Sequence, residues 1–541
     1  MRSKDISFTG TALAPAMLPW GQRFMREAIR RVEPIDHHLN LAWSQEVPPG
    51  ADLDAVCNAL GALVSRHESL RTRYGVDGSG HPVQEVIGQG AFTVRIHELG
   101  TADLEDAASA AIQSFRDQRY DLKQAPLLRA TVIARDGRPR VLVIGLSHMV
   151  TDGWGARRIV DELTGFMDPG EVGAAGAPEV TWQPSDQIRH EQTQAATNRR
   201  DRSLDYLEGQ FQNFPSTMFW QRQGKTEDPR YWSGSLHSPA LLPAVAAMYR
   251  THSVTPAPAI LAAFSAVVGH VTCHDTCRMF VIQSNRNRRN MDSVANYSQT
   301  VPLGIELNSD SFWSLTKDTQ SAMLNASRFA SYPPETRFQL SEDIGERRGI
   351  RIAEDCVYNP QWWMTGPELA RLADSGDAAA ELPARSGTFT WNKGADSGLV
   401  MYFGTSPTGL TITADTRFVA PEQFEPLLRL VEDIVVRGAK EDFSPSEMLE
   451  RHPREIPDHE WAFIDNCWVS LEATRGMVAE ATGAVAVDIE TVRDQDGREC
   501  LSALISGSAS EMSLGEVRTR CLAVLPRWRS AMVPHRLSES R

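Results

Sequence analysis

The sequence predicts a mixed α/β protein with two large halves and a small C-terminal appendix. Segments with helical periodicity alternate with apolar, strand-like runs along the whole chain. At 541 residues, the chain is long enough for about two to four folding units. Stretch 168–181 is rich in Gly, Ala and Pro, and stretch 437–460 is charged and contains proline, so both suit loops or linkers. The domains that we expect are 1–180, 181–440, a linker at 441–460, and an appendix at 461–541.

Helices and strands alternate in the first half. Leu53–His67 is amphipathic, and 104–118 is a second predicted helix. Leu127–Ala134 and Arg140–Ser147 have the composition of strands and are joined by a turn with the sequence Asp-Gly-Arg-Pro. The second strand is apolar on both faces, which is typical of a covered central strand. A further helix is expected from about Gly155 to Met167.

The second half repeats this alternation with more strands. A polar, helical stretch at 185–213 precedes a predicted pair of helices at 239–272. Strands are predicted at 278–284, 299–307, 386–393, 398–404 and 409–415. Phe424–Val436 predicts the helix that ends this half, and 461–535 again mixes strand and helix patterns.

Composition limits the classes of function. Lys and Arg total 55 against 69 Asp and Glu, and the net charge of −14 argues against general nucleic-acid binding. No window approaches about 18 uninterrupted apolar residues, so we expect no membrane span. The N-terminus lacks the apolar core of a secretory signal, so we expect a cytoplasmic protein. The seven cysteines are odd in number and irregularly spaced, which favours reduced, mostly packed thiols.

One short stretch carries chemistry: the predicted central strand ends at Ser147, and His148 follows at once. A histidine just beyond a buried strand has a fixed ring and still faces a cleft, where a neutral imidazole accepts a proton or stabilises a developing charge. Asp152 is too near in sequence to be an independent catalyst, so we expect it to hold the loop through an arginine, while Gly153 permits the turn. The structural alternative is that Asp152 only caps a helix beginning near Trp154.

The segments around this stretch resemble the condensation domains of nonribosomal peptide synthetases, within the chloramphenicol-acetyltransferase-like acyltransferases. His148, Asp152 and Gly153 match the HHxxxDG motif of that family, with Ser147 in place of the first His. Five segments carry the resemblance in order: LPWGQ at 18–22, RHESLRT at 66–72, YDL with PLLR at 120–129, LSHMVTDGWG at 146–155, and SNR with VANYSQTVPL at 284–303. The resemblance covers roughly residues 10–440.

The resemblance implies two chloramphenicol-acetyltransferase-like lobes in a V-shaped pseudodimer, with the active site in a tunnel between them. Carrier proteins would supply the acyl thioester on a phosphopantetheine arm, so the chain itself would bind no cofactor. His148 would take the proton of the nucleophile or stabilise the tetrahedral intermediate, and no covalent acyl-enzyme is needed. Asp152 would be structural and paired with Arg286, with Arg71 as the second choice.

Further residues are candidates for lining the tunnel or contacting substrate because of their positions in the resemblance. These are Ser147, Tyr297, Gln299, Trp391 and Asn392. The usual Gly and Asn of the strand at 294–303 are replaced by Ala295 and Gln299, which bears on substrate geometry more than on catalysis. For each candidate, ordinary packing is the alternative.

Two other patterns are weaker. Four residues would share one face of an unbroken helix and bind zinc, but the strand that follows indicates that the helix ends first, so we expect no metal site. They are His270, Cys273, His274 and Cys277. The basic runs at 199–202 and 286–289 suit an acidic carrier protein, although such runs are usually solvated faces.

The appendix resembles the small C-terminal subdomain of adenylation enzymes in segments 485–487, 496–498, 501–505 and 525–534. The resemblance stops before the loop that bears the catalytic lysine, and we find no P-loop or AMP-binding motif. We therefore expect a remnant used for docking or stability, with a simple α/β cap as the alternative.

Together these patterns predict a free-standing condensation enzyme of nonribosomal peptide or related natural-product biosynthesis. It would join a carrier-bound acyl or aminoacyl thioester to an amine, or alternatively a hydroxyl, on a second carrier or a small molecule. Two alternatives stay open: a coenzyme A-dependent acyltransferase acting on a small soluble acceptor, and a non-catalytic docking platform in a synthetase assembly.

Overall fold

The computed structural model describes residues 2–168, 179–221, 226–362, 369, 371–372, 387–393, 398–507 and 512–539. The chain divides into two compact units. The first unit is Met1–Asp201 with Gln283–Gln299, and the second is Arg202–Ile282 with Thr300–Arg541. Segment 283–299, which we expected in the second half, belongs to the first unit because its main chain and Arg286 hydrogen-bond to Asp152. The expected domain bounds, and the expected arrangement of the lobes, stay predictions.

The first unit is built on two sheets. Its strands are β1 (Arg2–Thr9), β2 (Leu13–Met17), β3 (Leu41–Glu46), β4 (Thr72–Val76), β5 (Pro82–Val86), β6 (Gln89–Glu98), β7 (Leu128–Arg135) and β8 (Arg138–Leu146). The larger sheet has the order β1-β6-β7-β8-β3, and the smaller has the order β2-β5-β4. In the larger sheet, β6 and β7 are parallel and the other neighbouring strands are antiparallel.

The first unit also contains helices, and those at 53–66 and 104–116 contact the larger sheet. The helices are α1 (Trp20–Val32), α2 (Leu53–Arg66), α3 (Leu104–Arg116), α4 (Gly153–Met167) and α5 (Pro184–Glu191), and α6 (Gln194–Phe211) passes into the second unit. Asp52 begins α2 and Asp103 begins α3, each with a carboxylate that accepts main-chain N–H groups of the first turn. These caps satisfy donors that the helix itself leaves unpaired.

Strand β8 is an interior strand of the larger sheet, between β7 and β3. Its hairpin with β7 turns at Asp136 and Gly137, whose positive φ angles of 53° and 73° match the twist of the flanking strands. Val143 faces a cluster that includes residues of α3, and Ile144 faces the core shared with α2 and α4. Neither side chain has exposed surface. The strand is therefore apolar on both faces, as the sequence predicts, because both faces are covered.

The second unit contains a seven-stranded sheet. Its strands are β9 (Tyr231–His237), β10 (Thr276–Gln283), β11 (Gln299–Glu306), β12 (Cys356–Pro360), β13 (Thr388–Lys393), β14 (Met401–Ser406) and β15 (Gly409–Asp415). Their order is β11-β10-β12-β14-β15-β9-β13. The helices around it are α7 (Leu241–His252), α8 (Pro256–Thr272), α9 (Phe312–Arg328), α10 (Pro334–Arg348), α11 (Phe424–Gly438) and α12 (Pro445–Leu449).

Helix α8 is buried along most of its length in the core of the second unit. Its apolar composition is that of a core helix. Its first residue is Pro256, which suits the start of a helix, and it ends at Cys273 with a left-handed φ of 55°. Among the described residues, no single helix is long and apolar enough to cross a membrane. Helices α7 and α8 reach that criterion only as a pair, and they are bent by 107° at their junction.

A C-terminal block, residues 461–539, also belongs to the second unit. Its elements are β16 (Trp461–Ile464), β17 (Cys467–Ser470), α13 (Leu471–Thr482), β18 (Ala486–Arg493), β19 (Glu499–Ser506), α14 (Leu514–Val524) and β20 (Arg536–Glu539). Arg529 donates to Asp355 at 2.6 Å, and Arg348 pairs with Asp465 at 2.6 Å. Trp468 donates its indole N–H to a carbonyl at the end of α8 at 2.9 Å. Charged and aromatic contacts therefore tie this block to the rest of its unit.

The mixed α/β class is confirmed, and most predicted elements of the second half have counterparts in the structure. The expected helical pair at 239–272 corresponds to α7 and α8, and the expected strand at 409–415 corresponds to β15. The linker predicted at 441–460 contains the short helix α12. Strands β9 and β12 were not predicted.

Candidate active site

The loop between β8 and α4 carries the motif residues. Strand β8 ends at Leu146 and helix α4 begins at Gly153, so six residues, 147–152, make the connection. Ser147 is buried, with 2% of its surface exposed, and its hydroxyl accepts the main-chain N–H of Met149 at 3.3 Å. The main-chain N–H of Val150 donates to the carbonyl of Ser147 at 3.1 Å. The loop is thus a tight turn fixed by its own main chain, with His148 near its start.

The imidazole of His148 has a defined orientation and tautomer. Its Nδ1 lies 2.7 Å from the carbonyl oxygen of Thr151. A carbonyl oxygen only accepts hydrogen bonds, so in the neutral ring Nδ1 carries the hydrogen and Nε2 keeps the lone pair. His148 is partly exposed, and none of the described residues hydrogen-bonds to Nε2. The lone pair of Nε2 is therefore available to a reacting group.

The surroundings of His148 favour the neutral ring. Burial lowers its pKa below the ordinary value of 6.5, while the hydrogen bond to Thr151 and the charge of Asp152 act in the opposite direction. A histidine that is neutral near pH 7 acts as a proton acceptor. The site therefore has the protonation state that a general base requires.

Asp152 holds the loop together and does not contact the imidazole. Its Oδ1 accepts the N–H of Gly155 at 2.9 Å, which caps α4, and a guanidinium N–H of Arg286 at 2.7 Å. Its Oδ2 accepts the main-chain N–H of Tyr297 at 3.1 Å and the hydroxyl of Ser298 at 3.4 Å. The side chains of the ion pair are only 2% and 1% exposed. The carboxylate thus caps α4 through one donor and joins the motif loop to segment 283–299 through three others.

Arg286 satisfies main-chain carbonyl groups as well as Asp152. Its Nη1 donates to the carbonyls of Asn290 and Ser293 at 2.9 and 2.8 Å, and its Nη2 donates to that of Ala295 at 2.9 Å. A planar guanidinium suits such an arrangement because its donors point in fixed directions. The basic run at 286–289 is therefore not a uniformly solvated face, since its first arginine is buried.

Two polar residues that the sequence analysis missed contact the motif loop. Asn296, with no exposed surface, donates from Nδ2 to the carbonyl of His148 at 2.9 Å. Gln22, also without exposed surface, donates to the hydroxyl of Tyr74 at 3.0 Å and to the carbonyl of Met149 at 3.3 Å. Both residues lie in segments that carry the family resemblance, LPWGQ and VANYSQTVPL, and that is the signal in the sequence that points to them.

Segment 283–299 packs closely on helix α1. A Cβ atom added to Gly21 would lie 2.5 Å from the Cα atom of Tyr297. The Tyr297 hydroxyl is 2.9 Å from that of Ser293, and Gln299 accepts from the side chain of Asn285 at 3.2 Å. Tyr297 and Gln299 are 3% and 1% exposed, so they support the segment and offer little surface to a substrate.

One detail of the prediction is wrong, and a second glycine has to be added to the motif. The second-choice partner of Asp152, Arg71, instead donates to the carbonyls of Thr11 and Ile87 at 3.2 and 2.6 Å. Gly153, which we expected to permit the turn, is the first residue of helix α4, and that role stays a prediction. The glycine that the packing requires is Gly155, where a Cβ atom would meet the Thr151 hydroxyl and the main chain at 295.

The remaining candidates lie in the second unit. Trp391 and Asn392 are on β13, where both are exposed, and the Trp391 ring makes an edge contact with Phe389 at a centroid distance of 4.9 Å. Helix α8 ends before the four residues of the zinc pattern can share a face. Within the described ranges, no three His, Cys, Asp or Glu side chains form a group able to hold a metal ion.

Comparison with known sequences identifies a family. The sequence model of the condensation domain matches residues 26–343, more than half of the chain. Bacitracin synthase 3 from Bacillus licheniformis is 33% identical over 125 residues, which are 23% of this chain and 2% of that protein. Phosphinothricin tripeptide synthetase PhsC from Streptomyces viridochromogenes is 31% identical over 162 residues, which are 29% of this chain and 15% of that protein. The chain therefore spans only a small part of the curated relatives that it matches.

Solved structures share the fold. The SgcC5 protein from Streptomyces globisporus has a TM-score of 0.61 at 18% identity, over 78% of this chain and 98% of that one. The condensation domain from monacolin K polyketide synthase MokA also has a TM-score of 0.61, at 16% identity, over 79% of this chain and 98% of that one. The chain belongs to the condensation-domain family, whose members are acyltransferases.

Proposed function

We propose that this chain transfers an acyl or aminoacyl group from a carrier-protein thioester to an amine, with His148 as the catalytic residue. The observation that carries the proposal is the imidazole itself: its Nδ1–H is fixed on the Thr151 carbonyl at 2.7 Å, which leaves the Nε2 lone pair to act. An imidazole held in one tautomer loses little entropy when it meets a reacting group. Amide formation needs such a base, because the attacking amine must lose a proton.

The chemistry that this residue supports is a single displacement. The amine lone pair attacks the thioester carbonyl carbon, a C–N bond forms, and the nitrogen proton passes to Nε2 of His148. The tetrahedral intermediate then collapses with cleavage of the C–S bond, and the leaving thiolate takes the proton back from the imidazolium. The same ring also stabilises charge in the intermediate by hydrogen bonding. A hydroxyl acceptor follows the same sequence and gives an ester.

Relatives support the choice of substrates. Phosphinothricin tripeptide synthetase PhsC makes a peptide by name, and it is 31% identical over 29% of this chain. Bacitracin synthase 3 is 33% identical over 23% of this chain. The family resemblance implies intermediates that travel as phosphopantetheine thioesters on carrier proteins, so a carrier protein is the proposed donor partner. The acceptor is an amine on a second carrier or on a small molecule.

Two rival functions each have a specific observation in their favour. A starter condensation domain of rhizomide synthetase RzmA, with a TM-score of 0.60, was solved in complex with C8-CoA, which favours a free coenzyme A thioester as donor. The X-domain from teicoplanin biosynthesis, with a TM-score of 0.58, was solved in complex with OxyB, which favours a docking role. The intact Asp152–Arg286 pair and the oriented imidazole favour catalysis.

The C-terminal block has a proposed structural role. Its arginines and tryptophans contact the core of the second unit, as Arg529 does at Asp355 and at the Thr217 hydroxyl, both at 2.6 Å. Such contacts suit a brace for the second unit better than a subdomain that swings freely. The likeness to adenylation subdomains stays a prediction.

The test compares donors in one assay read by intact-protein mass spectrometry. Acyl-loaded carrier proteins, the matching acyl coenzyme A and a panel of amine acceptors are each incubated with wild-type protein and with His148→Ala. Product from loaded carrier with the wild type, but not with the variant, supports the proposal. Equal turnover with acyl coenzyme A favours the first rival, and tight partner binding without turnover of any donor favours the second.

A further inference from the structure

Asn296 is a buried amide that directly adjoins the imidazole of His148. It has no exposed surface, and its Nδ2 lies 2.9 Å from the main-chain oxygen and 3.2 Å from the Nδ1 of His148. Its side chain therefore contacts both the main chain and the ring of His148.

The orientation of the Asn296 amide is fixed by a second hydrogen bond. Its Oδ1 accepts the main-chain N–H of Ser298 at 3.1 Å, so the oxygen is held on that side and the NH₂ group must face His148. A flipped amide would place Oδ1 against the His148 carbonyl and Nδ2 against the Ser298 N–H, and both contacts would be repulsive. The donor end of the amide is thus built into the site.

The 3.2 Å contact between Nδ2 and Nδ1 is not a hydrogen bond in the neutral ring. Nδ1 already donates to the Thr151 carbonyl at 2.7 Å, so two N–H donors lie side by side. Their positive ends disfavour a further positive charge on the imidazole. The amide also donates to the main-chain carbonyl of His148, which fixes the backbone from which the ring projects.

We infer that Asn296 is a positioning residue: its amide holds the His148 main chain and disfavours the imidazolium, so the ring stays neutral, while the Thr151 carbonyl selects the tautomer with a free Nε2. Only the expected effect on the transfer rate rests on the proposed function. The protonation state of the ring can be measured without substrate. Other ionisable groups around the loop do not supply this effect. Asp152 favours the imidazolium and is neutralised by Arg286, and burial raises the pKa of the Tyr74 and Tyr297 phenols so that both stay uncharged.

The first test titrates the His148 ring by NMR in full-length protein labelled with ¹⁵N-histidine, without substrate. The His148→Gln variant assigns the resonance. Asn296→Asp places a carboxylate where the amide donor was, so the ring pKa should rise by about one unit or more. Asn296→Ala should raise it less, because it removes the donor without adding a negative charge. Asn40→Asp is the matched control, because the amide of Asn40 donates to the carbonyls of Phe115 and Gln118 instead.

The second test measures transfer kinetics of the same variants. Asn296→Ala should lower kcat about tenfold, the effect of one lost hydrogen bond, with an unchanged KM for the loaded carrier. Asn296→Asp should also move the acidic limb of the pH–rate profile upward, together with the ring pKa.

The outcomes separate this inference from the proposed function. The inference is overturned if the pKa of the His148 ring is the same in the wild type, in Asn296→Ala and in a folded Asn296→Asp, whatever their activities. If Asn296→Asp does not fold, as judged by circular dichroism, Asn296→Ala alone decides. Shifted ring titrations in a protein that transfers no acyl group uphold the positioning role and count against the proposed function.

Discussion

Replacement of Asp152 by Asn removes one charge from the most buried ion pair of the motif. The carboxylate accepts four hydrogen bonds, from Gly155, Arg286, Tyr297 and Ser298. An asparagine oxygen can still cap α4 and accept from the guanidinium. Its NH₂ group, however, would face the main-chain N–H of Tyr297, and one donor would oppose another.

The structure sets the size of the effect. The two charged side chains are 2% and 1% exposed, so the variant leaves a buried guanidinium without an opposite charge. Removal of one partner of a buried pair costs about 3–5 kcal/mol of the free energy of unfolding. For a unit of roughly 200 residues, 1 kcal/mol lowers Tm by about 2–4 °C, so the expected loss is roughly 6–20 °C.

Differential scanning calorimetry measures this loss, and a double variant tests its cause. Asp152→Asn with Arg286→Gln should be less destabilised than the sum of the single variants, because the unpaired charge is gone. Glu27→Gln is the control, since Glu27 pairs with the largely exposed Arg30, and such a pair contributes less than about 1 kcal/mol. If Asp152→Asn melts with the wild type and transfers acyl groups at the wild-type rate, the structural role assigned to Asp152 is refuted.

Three further predictions test packing, protonation and the C-terminal block. Gly21→Ala should destabilise the first unit by about 1–3 kcal/mol in urea unfolding, because the new Cβ atom would lie 2.5 Å from the main chain of Tyr297. Gly165→Ala is the control: it has open space around it and should not destabilise the unit. The transfer rate should stay constant as the pH falls to 6.5 and should decline only below that pH. The reason is that burial lowers the His148 pKa and the neutral ring is the proposed active form. A midpoint above 6.5 in the pH–rate profile would contradict this. Arg529→Gln should lower the Tm of the second unit by several degrees, because its buried carboxylate partner loses its charge pair, and an unchanged Tm would argue against the brace.

Features that depend on short stretches of sequence could be predicted from the sequence alone. Strand β8 is apolar on both faces because α3 covers one face and the main core covers the other, and its run of Val, Leu and Ile reflects that burial directly. The position of His148 after this strand follows from chain order alone. The Arg286 contact with Asp152 needed the family resemblance, because 134 residues separate the two in sequence.

The features that the sequence analysis missed depend on contacts between distant segments. Asn296 and Gln22 reach the motif loop from distant parts of the chain, and the family resemblance of their segments does not say which loop atoms they contact. Gly155 was missed for a related reason: the motif marks Gly153, and only the folded chain shows that a Cβ atom at Gly155 would meet the Thr151 hydroxyl. Short strands such as β12, with five residues, leave too little periodicity to recognise.

The central claim is that the Nε2 lone pair of His148 accepts the proton of the attacking amine. The most direct measurement compares the rate of single-turnover acyl transfer from a loaded carrier protein in the wild type and in His148→Ala. The reaction is followed by rapid quench and mass spectrometry, with the same fraction of each protein bound to the carrier. Loss of general-base catalysis predicts that the variant is slower by about 10²–10⁴-fold with unchanged carrier affinity. Transfer by His148→Ala at the wild-type rate would show that the imidazole does no chemistry, and the account of this site would be wrong.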